Sequence, residues 1–290
     1  MSAAFPIALM SSAILSGTSL LYATLGELIG ERAGIVNLGL EGLMLIGAST
    51  GFAGAAVTAN PYLGVAAAAL AGVAANGLFS YVVITRHANQ LAAGLSLTFF
   101  GLGASALIGR PFVGAIVPGL PRLGAFDLLV WLAAQLAVVL WGLLYRTRWG
   151  LTLRAVGESP AAAFAAGRRP DRVQYEALAV AGALGGISGA HLSLAVALTW
   201  DEGMTAGRGF IAIALVIFAG WNPLWAVIGA LVFGGAESLQ LQFQARGVDV
   251  SPFLMNMVPY LLTLLVLTFW GLRGRSAAPA GLGRSFFGVE

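Results

Sequence analysis

Residues 146–172 read RTRWGLTLRAVGESPAAAFAAGRRPDR, a hydrophilic island in a chain that is otherwise almost continuously apolar. Six of the fifteen arginines lie in it, around a Gly157-Glu158-Ser159-Pro160 turn and a short alanine-rich stretch of helix-forming residues. Long hydrophobic blocks flank it on both sides. Such an island predicts a handle by which another protein moves this one.

The 290 residues are 59% hydrophobic and only 9% charged, with a mean hydropathy of +0.89. A soluble domain carries about 25% charged residues, so one polytopic membrane domain over 1–290 is expected, with lipid as its surroundings. In a bilayer core the backbone must satisfy itself as helix or closed barrel. The apolar runs are about 20 residues long and do not alternate, which selects helices. The net charge of +3 is too small and too scattered for a nucleic-acid partner. There is no Cys, and His87 and His191 are the only histidines, which argues against a redox or structural metal centre. No lysine occurs either, so the chain lacks the P-loop lysine that cradles nucleotide phosphates. Any ATP-derived energy must therefore come from a partner.

Spans are expected near 7–29, 35–58, 62–84, 90–109, 126–145, 173–199, 223–244 and 253–271, eight in all. The N-terminus shows no basic n-region or cleavage site, so 7–29 is expected to stay as a membrane helix. The run 208–219 is too short to cross and reads as a broken or re-entrant helix. With the island placed inside, eleven arginines fall in inner loops (Arg32, Arg86, the six of the island, Arg273, Arg275 and Arg284). Arg110, Arg122, Arg208 and Arg246 then lie outside, as the positive-inside rule requires. The tail 272–290, rich in Arg, Gly and Ala, is expected to be disordered on the inner side. An inverted repeat is suggested by Asn60-Pro61 and Asn222-Pro223, followed at one offset by Val65/Val227, Ala68/Ala230, Gly72/Gly234 and Ala74/Ala236. The upstream Gly34-Ile35-Val36 and Gly209-Phe210-Ile211 extend the match.

Polar residues inside such a chain are the candidates for chemistry. Glu27, Glu31, Arg32, Asn37 and Glu41 crowd into one short segment. Glu31 and Arg32 are expected at the inner surface, with Glu27 a partner for Arg32. Glu41 is expected about two turns into the second helix, on one face with Asn37, where a charge costs roughly 2.5–3.5 kcal/mol unless paired or wet. That face either lines a solute pathway or forms an interhelical hydrogen bond. Glu237, deep in the seventh span, is an intramembrane carboxylate of the kind that marks a pathway. Asn76, Gln90, Ser96, Thr98 and Asn256 could hydrogen-bond a polar solute. His191 has no carboxylate near it in sequence and reads as packed and neutral. No nucleophile and base, and no pair of acid and base carboxylates, stand at a catalytic spacing.

The segment Gly30–Met44, GERAGIVNLGLEGLM, closely resembles the opening signature of permease subunits of bacterial ABC importers, in the branch serving ribose, branched-chain amino acids and nucleosides. RAVGESPAAA at 154–163 resembles the cytoplasmic loop of that family, with Ser159 where Asn is usual. MTAGRGFIA at 204–212 and FAGWNP at 218–223 resemble its third block. The resemblance runs in order from residue 26 to about 240 and is nearest the shorter permease of nucleoside or simple-sugar systems. It implies a non-enzymatic subunit of the inner membrane that pairs with a second, longer permease. Cytoplasmic ATPase chains, which hold ATP and Mg, and an extracytoplasmic solute-binding protein complete the assembly. It further implies that 154–166 docks in the ATPase as a coupling helix. Gly157 and Pro160 shape its turn, Glu158 caps or contacts the partner, and Ala161, Ala162, Ala163 and Phe164 form the docking face. The tentative pathway residues are Asn37, Glu41, Asn76, Ser96, Glu237 and Asn256. An ion-gradient carrier using Glu41 and Glu237, or a scaffold subunit, are the alternatives to such a transporter, and a ribose-like sugar is the alternative to a nucleoside.

Overall fold

The structure is a computed structural model that describes residues 4–245, 257, 261, 264, 265, 268 and 278–284. It is an all-α bundle: α1 (Ala4–Arg32), α2 (Leu40–Thr58), α3 (Pro61–Ser80), α4 (Gln90–Gly109), α5 (Leu128–Arg146), α6 (Arg148–Glu158), α7 (Pro160–Ala165), α8 (Pro170–His191), α9 (Arg208–Phe218) and α10 (Pro223–Ala245). Both α3 and α8 run on into a π-helical turn, Tyr81–Thr85 and Leu192–Val196. The described strands are two-residue pieces, Arg122–Leu123 and Phe126–Asp127, paired antiparallel.

Among the described residues six helices are long and apolar enough to cross a membrane: Leu9–Arg32, Leu40–Thr58, Pro61–Thr85, Gln90–Phe112, Leu128–Arg146 and Pro170–Val196. The short run expected at 208–219 is α9, whose 11 residues reach about 16 Å, half a hydrocarbon core. The span expected at 253–271 lies mostly outside the described residues, as does Asn256. Met257, Leu261, Leu264, Leu265 and Thr268 within it are helical.

Helix starts follow local chemistry. Asn60 caps α3, its Oδ1 accepting from the Tyr62 N–H, with Pro61 in the first turn. Asn222 Oδ1 accepts from the Leu224 N–H ahead of Pro223 in the same manner. Asn and Pro at these positions are favourable because one offers an acceptor and the other lacks a donor needing one. Of the residues matched along the two copies, Ala68 and Ala230 are both buried, and Gly72 and Gly234 both sit where another helix backbone approaches. The upstream match joins unlike structures, since Gly34–Val36 is irregular whereas Gly209–Ile211 is helical.

The α8 helix lies in the middle, packed on α1, α2 and α3. Its glycine run permits this. A Cβ on Gly182 would come within 2.5 Å of the Gly72 carbonyl oxygen, and one on Gly189 would stand 2.6 Å from the Ala48 nitrogen. Small residues allow helices without a hydrophobic drive between them to gain van der Waals contact and backbone proximity.

The second helix begins five residues later than its hydropathy suggests. Residues 35–39 are irregular and largely buried, so Asn37 precedes α2 and Glu41 is the second residue of that helix, not two turns inside it. Gly34, at φ +92°, ends the reversal after α1. Glu31 is buried rather than at the surface, and its Oε2 accepts a 2.6 Å hydrogen bond from the Trp221 indole. Arg32 does not meet Glu27. It donates to the Trp221 carbonyl and the Tyr145 hydroxyl, both at 3.1 Å. These contacts gather the end of α1, the end of α5 and the turn before α10 at the same end of the bundle as the island. Arg110 and Glu202 pair at 3.1 Å elsewhere. Arg208, expected in an outer loop, opens α9 within the bundle. Of the tail expected to be disordered, residues 278–284 form a turn at the island end, because their backbone finds partners there.

Candidate functional site

The island folds into two short helices rooted on the bundle. Thr147 Oγ1 accepts from the Gly150 N–H and starts α6, whose Gly150, Leu153, Val156 and Gly157 face inward at helical spacing. Arg154 lies 5.0 Å over the Tyr145 ring and donates to the Leu144 carbonyl. The Trp149 indole donates to Glu176, which also pairs with Arg172. Ser159 then separates α6 from α7. Its Oγ accepts from the Ala162 N–H at 3.3 Å and Pro160 follows, so serine serves as N-cap as well as the usual asparagine would.

Six-residue α7 carries exposed Ala161, Ala162 and Phe164, the last 46% exposed, while Ala163 turns inward and is not part of the exposed face. Gly157 is buried, and an added Cβ would strike the Arg32 carbonyl oxygen. Glu158 is exposed, and its Oε2 accepts from the Ala280 N–H at 3.0 Å. The island is thus fastened at Gly157 directly to the end of α1.

A second cluster surrounds the irregular segment 33–39. Non-helical backbone at membrane depth persists only where its polar groups are satisfied by protein or water. Here side chains supply the partners: Gln90 Oε1 accepts from Val36 N–H, Glu27 Oε1 from Asn37 N–H, and Thr98 donates to the Leu38 carbonyl. Gln174 donates to the Ala33 carbonyl. Asn37 Oδ1 accepts from Gly39 N–H and its amide donates to Asn76 Oδ1 at 2.8 Å; Asn76 in turn donates to the Leu178 carbonyl. Asn37 and Asn76 are therefore brought together, buried and engaged, in a hydrogen bond between the irregular segment and α3. Ser96 stands apart, on the exposed side of α4, and bonds back to the Ala92 carbonyl.

Glu41 meets the start of α9. Its Oε1 accepts from Thr205 Oγ1 at 2.6 Å and from Gly207 N–H at 2.8 Å, and its Oε2 accepts from Gly209 N–H at 2.6 Å. A carboxylate is favourable there because the first N–H groups of a helix lack partners and carry partial positive charge. The contact is close enough that a Cβ on Gly209 would lie 2.5 Å from Glu41 Cα. One residue earlier, Arg208 forms an ion pair with Glu237, about 21 Å along α10 from its start. Their side chains are 16% and 22% exposed, so this pair retains an open side.

Sequence order gave no sign of a third cluster. Buried His191 has Ser19 Oγ 2.9 Å from Nδ1 and Asp127 Oδ2 3.5 Å from Nε2. Burial works to raise the Asp127 pKa. The nearby His191 ring, with the N–H groups of Val130 and Leu129, outweighs it and holds the carboxyl below its usual range. The trio is enclosed in the bundle and ties α1, α5 and α8 together, where no substrate could reach Ser19 for nucleophilic work.

Residues 9–267 match the family model described as branched-chain amino acid transport system / permease component. A protein of Haloferax volcanii named as a glucose ABC transporter permease is 36% identical, covering 97% of this chain and 98% of that protein. The guanosine ABC transporter permease of Bacillus subtilis, NupQ, is 34% identical over 91% of each chain. The nucleoside ABC transporter permease of Lactococcus lactis is 28% identical over 96% of each. No solved structure matches. With six helices of crossing length and a family match over most of its residues, this is a multi-pass membrane protein and a transport component rather than an enzyme. The chain belongs to the permease family of the branched-chain amino acid transport systems.

Proposed function

We propose that this chain is one of two permeases in the cytoplasmic membrane that together form the pathway of an ATP-driven nucleoside importer. The observation that carries the reading is the exposed α7, rooted through Gly157 on the first membrane helix, a shape suited to a groove in a partner. ATP and Mg belong to cytoplasmic ATPase chains. Closure of those chains pulls α7, and the bundle rocks between outward-facing and inward-facing states. An extracytoplasmic binding protein delivers the solute. A nucleoside is favoured by the guanosine and nucleoside permeases among the relatives; a simple sugar is the second reading, favoured by the Haloferax relative.

Gentle solubilisation from the native membrane should bring down an ATPase, a second permease and a binding protein in fixed ratio. The ligand of that binding protein, tested with labelled guanosine against labelled glucose, then names the solute. A chain that comes down alone sinks the importer in favour of an ion-coupled carrier.

Within that reading Arg208 and Glu237 wall the pathway. An ion pair at this depth with an open side is costly against lipid and tolerable against water or protein. Glu237→Leu is expected to reduce uptake by about tenfold or more, since a cation left unpaired costs about 2.5–3.5 kcal/mol. Arg208→Glu together with Glu237→Arg should recover part of it. Normal uptake by Glu237→Leu vesicles would remove the pair from the pathway.

A further inference from the structure

Residues 278–284 make contacts that the importer reading does not use. Their backbone donates three hydrogen bonds to two separate parts of the chain. Gly283 N–H donates to the Gly34 carbonyl at 3.0 Å, in the reversal after α1. Gly281 N–H donates to the Gly157 carbonyl at 2.9 Å, and Ala280 N–H to Glu158 Oε2 at 3.0 Å, both at the junction of α6 with α7. Ala278 and Leu282 pack on the hydrophobic core. The turn is closed by Leu282 N–H to Pro279 O and Arg284 N–H to Gly281 O, with Gly283 at φ +76°.

The fit leaves no room for a side chain at Gly281, and Gly34 stands at van der Waals distance from Gly157. A Cβ on Gly281 would lie 2.6 Å from the Gly157 oxygen and 3.3 Å from Pro160 Cδ, and one on Gly34 would lie 3.5 Å from Gly157 Cα. Three glycine backbones are therefore stacked: the end of α1, the root of the coupling helix, and the turn near the C-terminus. A six-residue helix transmits a pull only if its root is held, because one exposed turn of helix is marginal alone.

We propose that the turn 278–284 is a clamp that fixes the root of α7 to the end of α1, so that movement of α7 reaches the membrane bundle. The clamp rests on the reading of α7 as the ATPase contact. It predicts a positioning role for Gly281 and Gly283, residues remote from any solute.

The test uses the whole importer in proteoliposomes, with the parent, a chain ending at Ser276, and Gly281→Val. The readout is labelled solute imported per ATP hydrolysed. In both variants the ATPase should still co-purify and hydrolyse ATP, while the ratio falls by about tenfold, the worth of one or two net hydrogen bonds. Gly103→Ala, where an added Cβ meets nothing within 4 Å, should keep the parent ratio. A parent-like ratio in the two clamp variants overturns the proposal. So does loss of the ATPase from them, which would make the turn a docking surface, or their absence from the membrane, which would make it a folding element. A parent that imports solute with no ATPase bound would overturn the importer reading itself, and the clamp with it.

Discussion

An importer carrying Gly157→Val is expected to keep hydrolysing ATP while solute uptake falls by about fivefold or more. The glycine stands where α6 meets the end of α1, and its missing side chain lets the Arg32 carbonyl oxygen lie against its Cα. A valine there must push α6 and α7 away from α1, and overpacking of this kind costs about 1–3 kcal/mol, which is roughly fivefold to 150-fold in the population of the joined state. The membrane helices themselves are untouched, so insertion should be normal. Ala161 and Ala162 stay exposed, so the ATPase can still find its surface. Gly142→Ala, in the open, is the control. Glu158→Gln should be milder, because the amide oxygen can still accept from Ala280 N–H. The measurement is uptake against ATP turnover in vesicles of equal permease content, and parent-like uptake by Gly157→Val would mean that the island is not the handle.

The island was legible because its signals are local. Ser159-Pro160 is a helix start written in adjacent residues, and an exposed alanine-rich turn inside an apolar chain stands out by composition alone. Asn60-Pro61 and Asn222-Pro223 were legible for the same reason. The irregular segment 35–39 was not. Ile35, Val36 and Leu38 continue the hydropathy of α2, and what unwinds them is a set of acceptors and donors on other helices: Glu27, Gln90, Thr98 and Gln174. One-dimensional pattern cannot tell a polar residue waiting for a solute from one committed to a distant backbone. The same limit hid Asp127 from His191, and Trp221 from Glu31. The turn at 278–284 escaped notice for a different reason. It docks through backbone on glycine, which leaves almost no hydrophobic signature in an Arg/Gly/Ala tail.

Replacing Glu41 with alanine is expected to destabilise the bundle by about 2–6 kcal/mol, since it strips the acceptor from three donors, two of them buried, and each buried orphan costs about 1–3 kcal/mol. Thr205 Oγ1, Gly207 N–H and Gly209 N–H all end on this one carboxylate, and Thr205 and Gly209 are buried while Gly207 is half-buried. Loss of the charge also removes the anion that favours the positive end of α9. Glu41→Gln separates the effects. Its amide oxygen can retain Thr205 and Gly207, but the amide nitrogen then faces the Gly209 N–H, donor against donor. Its loss should be roughly half as large. Thermal unfolding of purified permease in detergent gives the order parent, glutamine, alanine, and uptake should follow the folded fraction. A pathway role for Glu41 makes the opposite forecast. Glu41→Gln would then unfold like the parent and lose uptake selectively, and that result would return Glu41 from the joint between α2 and α9 to the wall of the pathway.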